Sequence, residues 1–257
     1  MKLATWNVNS IKARLPNVLD WIEGAAPDVL LLQETKCEDH AFPRLEFEAM
    51  GFHVAHYGQK TYNGVAVLSR RPILSVERGL PGRPEGVEAR HIEAVLEGGL
   101  RVASIYVPMG QSTQSDRFPF KLAFLDALAA RARALLAEEK PFLLGGDLNV
   151  APEAIDVWDT QIMEGQVLFH PEERARLRTL LHLGLTDAVR ALDARPRLYS
   201  WWDYRQGAWT RDMGLRIDHL LLSPEAADHL LAAGIDRAPR GKEKASDHTP
   251  VWCELEM

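Results

Sequence analysis

Cysteine is nearly absent: Cys37 and Cys253 are the only two among 257 residues, and they lie far apart in no metal-ligand spacing. That excludes a disulfide miniprotein and a cysteine zinc site, and makes a reducing, cytoplasmic setting the expectation. No apolar run reaches the roughly 18–20 residues of a membrane span, so no membrane contact is expected. The first residues lose their apolar character at Asn7 and Asn9 and carry no small-residue cleavage pattern. They are expected to be structure rather than a secretory signal. Low-complexity tracts and fixed-period repeats are also missing, which argues against solenoids and propellers. Positive charge is short: 30 Lys and Arg stand against 36 Asp and Glu, a formal −6 with His neutral. A protein coated in nucleic acid is therefore not expected, but a local basic face is still allowed, because affinity follows the phosphates neutralised at the site.

What is present is an ordinary globular composition, 46% apolar and 26% charged, on a chain long enough to bury a core without staples. Short strand patterns run through Lys2–Asn7, Asp28–Glu34, Phe52–Tyr57, Gly64–Ser69, Ile73–Arg78, His91–Glu97 and Arg101–Val107. Further strands are expected at Phe142–Gly146, Leu198–Trp202, Arg216–Leu222 and Val251–Glu256. Helices are expected over Pro16–Glu23, Pro119–Glu139 and Pro171–Leu183, the last with Gly184 as its cap. In Pro119–Glu139, Phe124, Leu125, Leu128, Ala132, Leu135 and Leu136 form one apolar stripe. A single parallel sheet needs a helix at almost every crossover, and there are too few helices for that. The expectation is an α/β fold of two packed sheets flanked by helices, in one domain spanning 1–257.

Polar residues recur where the strands end: Asn7, Gln33-Glu34-Thr35, Tyr106, Asp147 and Asn149, Asp218, and Asp247-His248. Singly, each is more often a turn former or a solvated loop residue; together they place several polar groups at the rim of a buried sheet. The chain lacks a Gly-x-Ser-x-Gly elbow, a Gly-rich phosphate loop and a His-Glu-x-x-His zinc helix. It offers hard oxygen ligands in Glu34, Asn7 and Asp247, which suit Mg²⁺ or Mn²⁺, and a histidine. Asp147 and Asn149, two apart in an extended segment, face the same way. A metal, a histidine and a carboxylate able to orient water are the parts needed to cleave a phosphodiester.

Thr5-Trp6-Asn7-Val8-Asn9, Leu32-Gln33-Glu34-Thr35-Lys36, Tyr106-Val107-Pro108, Gly145-Gly146-Asp147-Leu148-Asn149, Leu215-Arg216-Ile217-Asp218 and Ser246-Asp247-His248 occur in one order along nearly the whole chain. In this the sequence resembles the exonuclease III-type apurinic/apyrimidinic endonucleases of the DNase I-like endonuclease/exonuclease/phosphatase superfamily. The resemblance implies a four-layer α/β sandwich with two mixed sheets. It implies a Mg²⁺-dependent DNA repair nuclease acting as a monomer on double-stranded DNA with abasic sites or blocked 3′ ends. Such an enzyme cuts 5′ to the lesion, leaves a 3′ hydroxyl, trims 3′ ends and can degrade duplex DNA in the 3′-to-5′ direction. Glu34 would be the principal metal ligand, joined by Asn7 and Asp247. Asp147 would orient or deprotonate the attacking water, Asn149 would hold water or phosphate, and His248, oriented by Asp218, would donate to a phosphoryl oxygen. Tyr106 would aid the leaving oxygen, Asn9 and Arg205 would contact substrate, and Trp201 would wall the pocket for a base-free sugar. Six arginines between Arg190 and Arg216 outnumber three nearby aspartates and imply a phosphate-contacting face. One departure is Met109, where better-known relatives carry an amide. The alternatives are a superfamily phosphodiesterase for lipid or inositol phosphates and a catalytically silent DNA-binding module.

Overall fold

The computed structural model describes residues 1–83 and 88–257. Its strands are β1 (Lys2–Asn7), β2 (Val29–Gln33), β3 (His53–Tyr57), β4 (Val65–Ser69), β5 (Ile73–Arg78), β6 (His91–Leu96), β7 (Arg101–Tyr106), β8 (Phe142–Asp147), β9 (Thr186–Asp187), β10 (Asp218–Leu222), β11 (Leu230–Ile235) and β12 (Val251–Leu255). The helices are α1 (Ile11–Ala25), α2 (Arg44–Ala49), α3 (Arg117–Leu136), α4 (Thr160–Met163), α5 (Pro171–His182), α6 (Ala188–Leu192) and α7 (Pro224–Ala227). Two mixed six-stranded sheets result, in the orders β11-β12-β1-β2-β4-β3 and β5-β6-β7-β8-β10-β9.

Strand alternation explains the layers. Leu31 of β2 faces inward with Leu3 and Val67, against Ile92, Val102, Leu143 and Leu220 of the other sheet. Its neighbours Leu30 and Leu32 face outward and pack with Trp6 beneath Val18, Trp21 and Ile22 of α1. On the far side, Phe124, Leu125, Leu128 and Leu135 of α3 cover Ile105, Phe142 and Leu144 of the second sheet. Both faces of β2 and β8 are therefore dry, as their near-continuous apolar runs require. Truncating Leu31 to Ala would cost about 2–5 kcal/mol, the scale for a fully buried leucine.

Three local expectations change. Leu198–Trp202 is not a strand. Its backbone divides its hydrogen bonds between Leu215 and the loop at Asp247–Thr249, so Trp201 makes only isolated bridges, to Leu215 and His248. Two strands have no sequence signal: β9 is two residues long, and β11 is an Ala- and Gly-rich edge that gains its order by pairing with β12. The first helix starts earlier than Pro16, at Ile11, where Ser10 caps it by accepting from the Ala13 N–H.

The register decides what meets at one end of the sandwich. Asn7 ends β1 beside Gln33, the last residue of β2, and Tyr106 of β7 pairs with Asp147 of β8. Because β10 runs antiparallel to β8, its first residue, Asp218, also pairs with Asp147.

Candidate active site

Asp147 lies at the centre. Its Oδ2 accepts from Asn7 Nδ2 (2.9 Å) and Asn149 Nδ2 (3.3 Å), and its Oδ1 accepts from the Asn149 backbone N–H (2.9 Å). The Asn7 amide also donates to Glu34 Oε1 at 2.9 Å and so joins the two carboxylates. On the other side, His248 Nε2 stands 3.7 Å from Asp147 Oδ2. His248 Nδ1 lies 2.9 Å from Asp218 Oδ2, and because a carboxylate only accepts, Nδ1 carries a proton. Ser200 fixes Asp218 in turn: its Oγ donates to Oδ2 at 2.6 Å and accepts from the N–H groups of Ile217 and Asp218.

The backbone at these positions is unusual. Asn9, Glu34 and Asn149 have φ of 45°, 51° and 52°, a left-handed conformation that costs a non-glycine residue energy and persists only where its surroundings impose it. For Asn149 those surroundings are explicit. Its side chain donates to the Val107 carbonyl at 2.9 Å, and its own carbonyl accepts from Lys121 Nζ at 2.6 Å. Gly146, directly before Asp147, is obligatory: a Cβ there would lie 1.9 Å from the Ile105 carbonyl oxygen. β8 can lie this close to β7 only with hydrogen at that position.

Burial raises the Asp147 carboxyl, the charges of Asp218 and Glu34 add to it, and His248 opposes them, leaving its pKa at about 7. For His248, burial opposes protonation, but Asp218 and Asp147 outweigh it and push its pKa up to about 10. Burial and the charges of Glu34 and Asp147 hold the Tyr106 phenol well above its ordinary range, so it remains a neutral donor. An imidazolium, a carboxylate poised near neutrality and a neutral phenol thus share one mouth of the fold. That combination can take a proton from water and meet developing negative charge.

Asn7, Glu34, Tyr106, Asp147, Asn149, Asp218 and His248 are brought together as a set. Asp247 sits to one side, its Oδ1 accepting from Asn9 Nδ2 and its Oδ2 from Trp201 Nε1, both at 3.0 Å. The Asn7 oxygen accepts from the Asn9 backbone N–H at 3.0 Å. The oxygens of Asn7 and Asp247, like those of Glu34 and Asp147, each accept a hydrogen bond here and keep a second lone pair. Trp201 is half-buried, with its ring centroid 6.5 Å from that of His248, whereas Trp202 is core, packed with Tyr199 and Trp209. Arg205 is 82% exposed and forks onto Asp203. Of the arginines expected on a basic face, Arg190 and Arg216 turn inward onto Asp156, whereas Arg195 is exposed on Asp193 as Arg205 is on Asp203.

Several contributors have no motif of their own in the sequence. Lys36 Nζ lies 2.8 Å from Glu34 Oε2 and also meets the Asn9 side-chain oxygen. Arg90 stacks 4.6 Å above the Tyr106 ring. Lys121 is fully buried, donating to Glu173 Oε1 (2.6 Å) and to the carbonyls of Asn149 and Met109. It falls three residues after Phe118 and four before Leu125 on the apolar face of α3, so a charge on that stripe was the available signal.

Ligating atoms of Glu34, Asp147 and His248 lie within 4.8 Å of one another. His248 keeps its protons, so the two carboxylates are the hard oxygen donors, a set that fits Mg²⁺ or Mn²⁺ and not a thiophilic ion.

The Endonuclease/Exonuclease/phosphatase family matches residues 4–248. Exodeoxyribonuclease III of Haemophilus influenzae is 36% identical, with 99% of this chain and 100% of the relative aligned. Among solved structures, a 3′ phosphatase, NExo from Neisseria bound to product DNA hairpin, superposes with a TM-score of 0.97 at 38% identity over the full length of both chains. An AP endonuclease from Archaeoglobus fulgidus superposes at 0.95 with 36% identity, again over both full lengths.

Proposed function

This chain belongs to the endonuclease/exonuclease/phosphatase family, and we infer from its site that it is a metal-dependent DNA repair nuclease that hydrolyses the phosphodiester 5′ to abasic sites. It leaves a 3′ hydroxyl and also clears blocked 3′ ends of double-stranded DNA. It acts as a monomer in the cytoplasm. The run Asp218–His248–Asp147–Asn7–Glu34, hydrogen-bonded at every step except the 3.7 Å ion-pair approach of His248 to Asp147, carries this reading. Similarity to an exodeoxyribonuclease III, an AP endonuclease and a 3′ phosphatase supports the choice of substrate.

Glu34, joined by Asn7 and Asp247 and with Asp147 beside it, would hold Mg²⁺, and Mn²⁺ would substitute. When bound, the cation supplies positive charge against the phosphoryl oxygens. Asp147 takes a proton from the attacking water, and Asn149, pinned to the same carboxylate, orients that water. As the water oxygen bonds to phosphorus, His248 donates from Nε2 to a phosphoryl oxygen, and Asp218 keeps Nδ1 protonated. The phosphorus–O3′ bond breaks, the departing oxygen takes its proton from the neutral Tyr106 hydroxyl, and Tyr106 regains one from solvent. Trp201, beside His248, offers an apolar wall to a sugar that has no base to stack. Asn9 holds Asp247 and Trp201 in register, and the exposed Arg205 reaches a flanking phosphate after exchanging it for Asp203.

The test is a duplex carrying one tetrahydrofuran lesion, and a matched duplex ending in 3′ phosphate, each with Mg²⁺ or EDTA. Single incision 5′ of the lesion and phosphate release in Mg²⁺ alone are expected. Cutting that survives EDTA, or hydrolysis of inositol phosphates with intact DNA, would overturn the reading.

A further inference from the structure

Behind the site lies a buried ionic cluster that plays no part in the chemistry described above. Arg216, two residues before Asp218, is fully enclosed. Its Nε donates to Asp156 Oδ1 (2.7 Å), and its Nη1 donates to Asp187 Oδ2 (2.7 Å). The same Nη1 lies 3.2 Å from Nδ1 of His219, and His219 Nε2 is 2.9 Å from the Val150 carbonyl oxygen. A carbonyl only accepts, so Nε2 carries a ring proton; at Nδ1 the Arg216 guanidinium, which only donates, lies closer (3.2 Å) than the Asp187 carboxylate (3.5 Å), which favours Nδ1 as an acceptor. Arg216 therefore sets the tautomer that lets His219 hold Val150.

Val150 directly follows Asn149, the residue in left-handed conformation. Lys121 grips the Asn149 carbonyl and His219 grips the next one. Leu148 N–H donates to the Ile217 carbonyl at 3.0 Å, so the segments bearing Asn149 and Asp218 are stitched together between Arg216 and His219. We propose that Arg216 and His219 are positioning residues: Arg216 orients His219, and His219 holds the Asn149–Val150 turn so that Asn149 faces Asp147 and the water to be activated. This rests on the nuclease reading of the site.

His219→Gln keeps an amide nitrogen near the position of Nε2, His219→Asn places one near Nδ1 instead, and His219→Leu has neither. On the tetrahydrofuran duplex, His219→Leu is expected to lose about 10–100-fold in kcat, the scale for removing a partner that orients a functional side chain. Its KM should stay within about twofold, because no phosphate contact is touched, and Gln should recover most of the loss while Asn does not. Should the leucine variant fail to fold, the comparison of Gln with Asn decides alone. Arg216→Lys retains one charge but cannot serve Asp156, Asp187 and His219 together, so kcat should fall in a folded protein. Long-range ¹H–¹⁵N NMR of the parent should show His219 protonated at Nε2, and Arg216→Lys should mix the tautomers. Unchanged kcat with a lowered melting temperature, a change confined to KM, no difference between Gln and Asn, or a parent protonated at Nδ1 would each refute the proposal. An inactive parent would instead strike at the nuclease reading, whatever the tautomer.

Discussion

Asp218→Asn removes one negative charge from His248 while keeping a side chain of the same shape. In the parent, Asp218 lies 2.9 Å from Nδ1 and is the foremost group raising His248 to about 10. At about pH 8 such an imidazole is ~99% protonated, whereas one returned to the ordinary value near 6.5 is ~3% protonated. The population of the donor form then falls by as much as ~30-fold at about pH 8 but by less than twofold at about pH 6. Asp147, 3.7 Å from Nε2, still favours the cation in the variant, so ~30-fold is an upper bound on this part of the loss. The sign follows directly. A raised pKa protects the acid form at high pH, so the defect must grow as pH rises. Asp218 also helps raise Asp147, so the acid limb of the variant should move downward at the same time. The assay is the pH dependence of kcat/KM for the lesion duplex, in which the variant should lose activity at lower pH than the parent on the alkaline side. An equal loss at every pH would show that Asp218 acts by shape alone and would sink this account.

Glu34→Gln should raise the Mg²⁺ concentration needed for half-maximal turnover at least ~10-fold and lower the maximum, as titration of activity would show. Trp201→Ala should impair incision at a tetrahydrofuran site more than release of a 3′ phosphate; equal losses would place the ring outside the lesion pocket. Gly146→Ala forces a methyl group against the Ile105 carbonyl and should cost ~1–3 kcal/mol or more in a urea titration. Burial raises the carboxyls of Asp156 and Asp187, but the Arg216 guanidinium outweighs it and holds both below their ordinary range. Their contribution to stability is complete above the unfolded carboxyl value near ~4 and is lost as pH falls toward their folded values. The melting temperature should therefore drop steeply below about pH 4, and a flat profile there would contradict the pairing.

Much of the fold can be read locally. The continuous apolar run of β2, the stripe on α3 and the Gly-Gly step before Asp147 each depend on residues only a few positions apart, so periodicity and turn chemistry reveal them. Polar residues at strand ends were legible for the same reason: where a buried strand stops, its next side chain stands at the rim. The strand expected at Leu198–Trp202 and the missed β11 depend on partners elsewhere, and local propensity carries no record of those. The site divides in the same way. Residue types and their order named the groups, but that Asp247 meets Asn9 and Trp201 is a matter of contacts across 238 and 46 positions. Asn7 reaches Asp147 across 140 positions, and Lys121 meets Glu173 across 52. Composition and spacing along the chain thus determined which chemical groups this protein owns and roughly where its strands end. Only the folded arrangement decided which arginines are spent on internal aspartates, which histidine keeps its proton and which carboxylates stand together, because charge interactions depend on distance through space and on burial, neither of which follows from separation in sequence.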